Sequence, residues 1–360
     1  MKNKRILLIG AFLAMVMGYV SPTVLARNEE IAADPIDMRL WYSAPAKEWT
    51  EALPIGNGRL GGMIFGGVDK ERIQFNEDSL WTGIPRDYSN PDAHKYLPEI
   101  RRLLFEGKQQ EAEQLAMQTF MSIPLRQERY QPFGDIWLEY EGTSECSDYR
   151  RELDLDKAVA SVRYKKGAAT FTRSVFSSCP DQVMVIHLSS DKPKALNFVL
   201  TMNSPHRESQ VVASDNTVIL NGRVSEYTNS REKTVHPSIL QFESRLKVYE
   251  SDGNIEQEGN KFHISQASAV TLILAGATSY RNYKDTGADP AERCEEVMSS
   301  IEGDYAAILE RHIGDHQKLF RRVDIDLGWT EQAKMPTDER ILHFRDGKDP
   351  QLAALVFQYG

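Results

Sequence analysis

Cysteine is scarce in this chain: Cys146, Cys179 and Cys294 are the only three in 360 residues. Their odd number and wide spacing exclude a disulfide framework and do not approach the paired spacing of a zinc site, so at least one thiol is free or intermolecular. The ordinary role of such residues is that of small buried hydrophobes, and the three are expected in the core. Basic charge is also short. With 43 Lys and Arg against 52 Asp and Glu, the net charge is −9. That balance argues against nucleic acid or anionic lipid as the main partner, because binding phosphates needs a basic face. A neutral ligand such as a sugar fits better. After the first residues, no run approaches the roughly 20 apolar residues of a membrane span. The glycine spacing at residues 52–67 suggests a phosphate-binding loop when read alone, but the glycines by themselves do not make a dinucleotide site and the lysine-containing P-loop is absent. Nucleotide binding is set aside.

What is present begins with an export signal. Lys2, Lys4 and Arg5 precede an apolar run over residues 6–20, and Val24 and Ala26 supply small residues before a cut, so the mature chain is expected to start near Arg27. Gly10 and Gly18 interrupt the run, which is too short for an anchor. No cysteine lies at the cut for a lipid. A periplasmic or extracellular location follows, with no membrane attachment after cleavage.

From Ile73 to Tyr280, short segments rich in β-branched and aromatic residues alternate with turn signals, the pattern of an antiparallel sandwich. Strands are expected at 134–140, 158–165, 168–177, 183–190, 195–203, 217–224, 240–250, 261–265 and 269–278. Gly167, Asp252-Gly253 and Gly259-Asn260 provide turns that tolerate positive φ. One interruption is helical: Asn90-Pro91 reads as a cap and first-turn proline, followed by Leu97, Ile100, Leu104, Leu115 and Ala116 at helical spacings, with Gly107 dividing two short helices. The fold class is therefore mainly β, a large antiparallel sandwich over residues 27–283 with a helical insertion near 91–121.

After Tyr280 the chain becomes helix-forming. Asp289-Pro290 is a cap with a first-turn proline, and Tyr305, Ile308, Leu309, His312, Leu319 and Phe320 make one apolar stripe. His312 and His316 stand four apart, the spacing of a helical metal pair, but no glutamate lies between them in the zinc-protease pattern, and packing is the expected role. Thr337, with Asp338 and Glu339, opens another helix, and Asp349-Pro350 a last one. On that last helix Leu352, Leu355, Val356 and Tyr359 form an apolar face, expected to lack packing partners here.

Four residues stand out as candidates for contact on the substrate side: Asn57 within ALPIGNGRLGGMIFGG at 52–67, and Asn76, Glu77 and Trp81 within IQFNEDSLWTG at 73–83. Glycine at 56, 58, 61, 62, 66 and 67 is too dense for a simple strand and allows close backbone approach to another strand or a ligand. Glu77 resembles a general acid, but an Asn-Glu-Asp run after a strand more often fixes a turn through local hydrogen bonds. Trp81 follows that polar run and precedes Thr82-Gly83, as at a loop tip, where its face can stack on a sugar ring. Trp41, Trp49, Trp137, Tyr42 and Tyr130 share that chemistry, with core or interdomain packing as their main expected use. No cofactor and no metal site is expected.

These two motifs, with LWYSAPAKEW at 40–49, YQPFGDIWLEY at 130–140, YRRELDLDKAVASVRY at 149–164, PTDERILHF and the terminal LAALVFQYG, resemble the N-terminal half of glycoside hydrolase family 95. The resemblance runs from about Met38 to the last residue and departs around 205–240. It implies a β-sandwich, a helical linker at 284–348, and from 349 the first helix of an (α/α)6 barrel. It also implies inverting hydrolysis of α-L-fucosides in a glycan or oligosaccharide. A glutamic acid would protonate the leaving oxygen, while asparagines assisted by an aspartate hold the attacking water, with room for that water of about 6.5–9.5 Å. In the family those residues lie in the barrel, downstream of the segment matching LAALVFQYG. The expectation is that this chain is cut off before them, carries no catalytic residue and is inactive alone. The alternatives are a stand-alone carbohydrate-binding sandwich and a segment of an α-L-galactosidase.

Overall fold

The computed structural model describes residues 38–125, 127–140, 145–229 and 234–360. The expected export signal lies outside them. Two antiparallel sheets dominate. The larger runs, from edge to edge, β1 (Arg39–Tyr42), β6 (Cys146–Asp154), β7 (Val159–Lys166), β8 (Ala169–Ser178), β9 (Val183–Ser190), β18 (Ala269–Thr278), β15 (Gln241–Ser251), β12 (Thr217–Arg223) and β11 (Glu208–Ser214). The smaller runs β16 (Asn254–Glu258), β17 (Lys261–Ala267), β10 (Leu196–Asn203), β5 (Gly134–Tyr140), β4 (Lys70–Glu77), β3 (Leu60–Ile64) and β2 (Leu53–Gly56). A two-stranded hairpin, β13 (Tyr227–Asn229) and β14 (Thr234–His236), stands apart.

The sheets meet through one apolar cluster drawn from both, including Ile73, Phe75, Ile136, Leu138 and Leu200 on one side and Val175, Ile186, Leu246, Leu272 and Leu274 on the other. Strand periodicity of two selects these residues. On β4 it turns Glu71, Ile73, Phe75 and Glu77 inward together, so two carboxylates enter the core with the hydrophobes. Glu71 is neutralised by Arg173, 2.5 Å away, and both side chains are almost wholly buried. Gly66 N–H also donates to Glu71, at 3.0 Å.

β18 is buried along nearly its whole length because both of its faces are covered. Val270, Leu272 and Leu274 face the sandwich interior, while Ile273, Ala275 and Ala277 join a second cluster beneath α3 (Pro290–Ser299) and α4 (Tyr305–Phe320). Asp289 caps α3 through the N–H groups of Ala291 and Glu292, as its sequence signature implies. On α4, His312 Nε2 donates to Ala158 O at 3.1 Å and His316 Nε2 to Leu155 O at 2.8 Å. The His312 ring stacks on Phe176. Both imidazoles therefore anchor the helix to the β6–β7 turn.

α5 (Thr337–His343) and α6 (Pro350–Tyr359) close the chain. The Thr337 hydroxyl does not cap its helix; it accepts the Trp41 N–H at 2.9 Å and ties α5 to β1. Arg340 and Asp349, both buried, form a bidentate pair at 2.8 and 2.9 Å, and Asp349 caps α6 through Leu352 N–H. Leu352 and Leu355 sink into the sandwich cluster, which corrects the expectation of a helix without partners; Val356 and Tyr359 do remain exposed.

Several other expectations change. The glycine-rich segment forms the β2–β3 hairpin: Gly56, Gly58 and Gly61 keep a fingerprint-like spacing, but the chain continues into a strand and not a helix. Cys146 and Cys179 are exposed, since one opens an outer strand and the other sits in the turn after β8. Cys294 is buried, and burial pushes its thiol up to about 12. None of the tryptophans is buried. Trp41 and Trp137 lie on outer sheet faces beneath cations, Arg150 at 4.3 Å and Lys70 at 4.4 Å from the ring centres. The inserted helices are α1 (Ala93–Phe105) and α2 (Gln109–Thr119), with Gly107 at φ +75° between them. Asn90 sits too early to cap α1 and instead bonds Thr119 O and Met121 O, closing the base of the insertion. Leu104 and Leu319 point to solvent; Leu103 takes the inward place in α1.

Candidate functional site

The four residues singled out from the sequence lie along one stretch of chain but do not share one task. Asn57 precedes Gly58, whose φ of +90° makes the β2–β3 turn. Its Oδ1 accepts from Leu60 N at 2.7 Å and Arg59 N at 3.0 Å, and its Nδ2 donates to Ser178 O at 2.9 Å. The side chain is consumed in holding the hairpin and joining it to β8. The turn aims Arg59 across the sandwich edge, where Nε and Nη2 donate to the side chain and backbone of Gln182 and Nη1 to Gly276 O.

Glu77 is buried at the end of β4. Its Oε2 accepts from Ser79 N at 2.8 Å and Ser79 Oγ at 2.6 Å, and Oε1 lies 3.8 Å from Arg59 Nη1. Burial raises its pKa above the ordinary carboxylate value; the two bonds from Ser79 and the charge of Arg59 oppose this, and Asp78 adds to it. Asn76 donates from Nδ2 to Gln131 O at 2.8 Å, tying β4 to the segment that leads into β5. The Asn-Glu-Asp run thus builds a turn, with Glu77 as its side-chain acceptor.

Trp81 alone of the four borders a cleft, of about 850 Å³. Its Nε1 donates to Asp78 O at 2.9 Å and its ring packs on Tyr130, with centres 5.3 Å apart. Three segments converge behind it: Thr82 N bonds Arg129 O, Gln131 N bonds Leu80 O, and Gly83 N bonds Pro237 O. Burial, with Glu77 and Asp78 nearby, pushes Tyr130 up to about 12, and its hydroxyl donates to Glu77 O.

The residue that organises the cleft was not legible beforehand. Glu128 Oε1 accepts from Arg86 Nη2 at 3.0 Å and Tyr88 OH at 3.4 Å, and Oε2 accepts from Thr82 Oγ1 at 3.0 Å with His236 Nδ1 at 3.3 Å. It knits the 82–88 segment to β14. Gly83, at φ +109°, lies so close that a Cβ there would meet Glu128 Cγ at 2.6 Å. In sequence Glu128 is one acid among many; its closeness to Tyr130 is the only available signal, and it is weak. Arg86, Tyr88, Tyr280 and Tyr283, also in the cleft wall, went unnoticed for the same reason. Among the described residues no three His, Cys, Asp or Glu side chains are grouped to hold a metal.

Comparison with known proteins places this geometry. Residues 40–283 match the family model described as Glycosyl hydrolase family 65, N-terminal domain, and residues 304–360 the Glycosyl hydrolase family 95 catalytic domain. Alpha-L-fucosidase 2 of Arabidopsis thaliana is 36% identical, with 90% of this chain and 41% of the relative covered. Probable alpha-fucosidase A of Aspergillus niger is 29% identical, with 89% of this chain and 42% of the relative covered. The chain therefore spans less than half the length of these curated relatives. A solved structure, titled putative kojibiose phosphorylase from human microbiome, aligns at a TM-score of 0.46 and 9% identity, covering 80% of this chain and 40% of that one. The chain therefore belongs, over residues 40–283, to the family described as the Glycosyl hydrolase family 65 N-terminal domain, and that domain is followed by a segment similar to the family 95 catalytic domain.

Proposed function

We propose that this chain is the N-terminal part of a secreted glycoside hydrolase that removes terminal α-L-fucosyl residues from glycans with inversion. The acid and the water-holding residues would come from an (α/α)6 barrel that begins with α6. The observation that carries the reading is the order of the two family matches, 40–283 then 304–360, in a chain similar to proteins named as fucosidases.

The geometry supports it in two ways. Glu77, the acid singled out from the sequence, and Glu128, which lines the cleft, are both engaged by local donors and are spent on structure. An inverting pair needs one acid and one base facing an open gap of about 6.5–9.5 Å. Secondly, Ile341, Leu342, Val356, Phe357 and Tyr359 leave an apolar surface on α5 and α6 that suits further barrel helices. The helical layer over the outer face of the sandwich favours this reading over a stand-alone carbohydrate-binding module. An α-L-galactoside, which differs from a fucoside by one hydroxyl at carbon 6, is the rival substrate. The charged start, apolar run and Val24-x-Ala26 site support export to the periplasm or the medium.

The test compares the chain alone with the chain continued by its downstream coding sequence, on p-nitrophenyl α-L-fucoside and α-L-galactoside. The chain alone is expected to be inert and the longer polypeptide to hydrolyse the fucoside, releasing the β-anomer first by NMR. Turnover by the chain alone above a buffer blank, preference for the galactoside, or the lack of a downstream barrel in any reading frame would overturn the proposal. Recovery from the cytoplasm with Met1 intact would overturn the export assignment.

A further inference from the structure

We infer that the cleft bordered by Trp81, Tyr88, Tyr280 and Tyr283 is a binding site for a neutral oligosaccharide, carried by the N-terminal domain itself. The inference deepens the proposed function and rests on it for the class of polymer the domain meets.

The cleft's volume, about 850 Å³, lies within the range of small-molecule sites, and room for two or three sugar rings follows from it. Its rim is aromatic and accessible: Trp81 is 40% exposed, Tyr280 39% and Tyr283 61%. Large aromatic side chains left open on loops cost apolar surface unless a partner covers them. Here they are presented on backbone that is already fixed. Trp81 is held by Asp78 O and by the Tyr130 ring. The loop carrying Tyr280 and Tyr283 is closed by Arg281 N to Asp285 O and by Asp285 N to Asn282 O, and Arg293 Nη1 holds Tyr280 O at 2.7 Å. Little ordering cost remains for a ligand that stacks there.

Charge selects the ligand. Asp78, Asp87 and Glu128 line the cleft against the single cation Arg86, which is already paired with Glu128. A phosphate or sulfate would meet net negative charge, whereas hydroxyls can bond to both carboxylates and amides. Arg86 Nε is buried with no hydrogen-bond partner among the described residues, a donor in the cleft wall that the protein leaves unused. Aromatic faces for the C–H surfaces of pyranose rings, acceptors for their hydroxyls and no surplus cation together describe an uncharged sugar.

The experiment is saturation-transfer NMR on the full chain with 2′-fucosyllactose and cellotetraose as neutral probes and a sulfated disaccharide as the anionic counter-probe, followed by titration of whichever probe responds. Saturable binding of a neutral probe is expected. Trp81→Ala and Tyr283→Ala should each weaken it about tenfold, Tyr283→Ala with an unchanged thermal midpoint. Trp49→Ala, which removes an exposed tryptophan absent from the cleft wall, should leave it unaltered. The inference is overturned if no neutral probe binds the folded chain, if only the anionic probe binds, or if Trp81→Ala and Tyr283→Ala both bind like the parent. Fucoside turnover by the longer polypeptide with no binding here would remove this inference alone. Cellotetraose binding in the cleft without fucoside turnover would remove the fucosidase reading alone.

Discussion

Strand β18 and helix α6 are both strongly apolar, and the fold treats them differently. Nine of the ten β18 residues are buried, between the sandwich interior on one face and α3 and α4 on the other. On α6, Gln351, Leu352, Ala354 and Leu355 are buried, whereas Val356, Phe357 and Tyr359 are 62%, 51% and 50% exposed. The strand is closed from both sides by residues of this chain. The helix is closed from one. Hydrophobic sequence alone does not distinguish these cases; the difference lies in whether a second apolar layer has been supplied. The sandwich therefore behaves as a finished core and α6 as a helix with one apolar face left open.

The sharpest way to break the finished core is through its buried charge. Arg173→Met would leave the Glu71 carboxylate uncompensated in an apolar setting, with only backbone donors. A loss of about 3–5 kcal/mol is expected in urea unfolding. Adding Glu71→Leu should recover most of it, since removing both charges also removes the desolvation penalty. Failure of the double variant to recover would mean that Arg173 matters for its bonds to Gly67 O and Tyr140 OH and not for charge balance.

Comparing one leucine from each element tests the contrast directly. Leu272 on β18 and Leu355 on α6 are equally inaccessible. Leu272→Ala should cost about 2–5 kcal/mol of global stability. Leu355→Ala should cost less globally and instead abolish hydrogen-exchange protection over residues 350–360, because a helix held on one face opens locally before the sandwich does. Equal global losses would show that α6 is as integral as the strand.

The same contrast explains which parts of the molecule could be read in advance. The nine expected strands appear as β5, β7, β8, β9, β10, β12, β15, β17 and β18, with ends displaced by a residue or two where they differ. Those strands carry continuous or alternating apolar residues. β2 and β3 escaped notice because glycine, a poor strand former, fills positions where partner atoms crowd close; a Cβ at Gly62 would lie 2.7 Å from Met184 Cε. β4 was legible only as a strand of unstated extent before the Asn-Glu-Asp run; its charges hid the rest, since LysGluArgIleGlnPheAsnGlu looks like a solvated segment until Arg173 and Ser79 are brought to the two inward carboxylates. For the cleft, only Trp81 carried a local signal. Glu128, Tyr280 and Tyr283 approach it from segments far apart in sequence, which no local pattern encodes.

Acid distinguishes the two kinds of buried titratable group. Burial holds His312 on α4 and His206 in the sandwich below the ordinary imidazole value. Below the unfolded pKa, near 6.5, the unfolded chain then binds more protons than the folded one, so stability is lost as pH falls toward the folded values. Glu77 has the opposite sign. Its raised pKa means the folded state holds the proton more tightly, so stability falls as pH rises from the unfolded carboxylate value through the folded one. His312→Gln should flatten the decline below pH about 6.5, and Glu77→Gln the decline above pH about 4.3. Urea midpoints measured across that range check both. A parent-like slope in His312→Gln would assign the acid sensitivity to the sandwich, where burial also holds His206 and His187 below the ordinary imidazole value, rather than to His312 in the helical layer.

The smallest expected effect on stability is the most informative about the open face. Val356 and Phe357 are exposed, so replacing each by Ser removes little apolar contact from the folded state, and the change in unfolding free energy should stay within about 0.5 kcal/mol. Their effect on association should be clear. Exposed apolar residues on α6, with Ile341 and Leu342 also exposed on α5, give apolar surface through which two copies can meet when nothing else covers it. Sedimentation of the parent chain should show concentration-dependent self-association, and Val356→Ser/Phe357→Ser should reduce it while preserving the unfolding midpoint. A parent that stays monomeric at high concentration would remove the basis for calling this face unfinished. A double variant that unfolds as readily as Leu272→Ala would place Val356 and Phe357 in the core, and the contrast between strand and helix would fail.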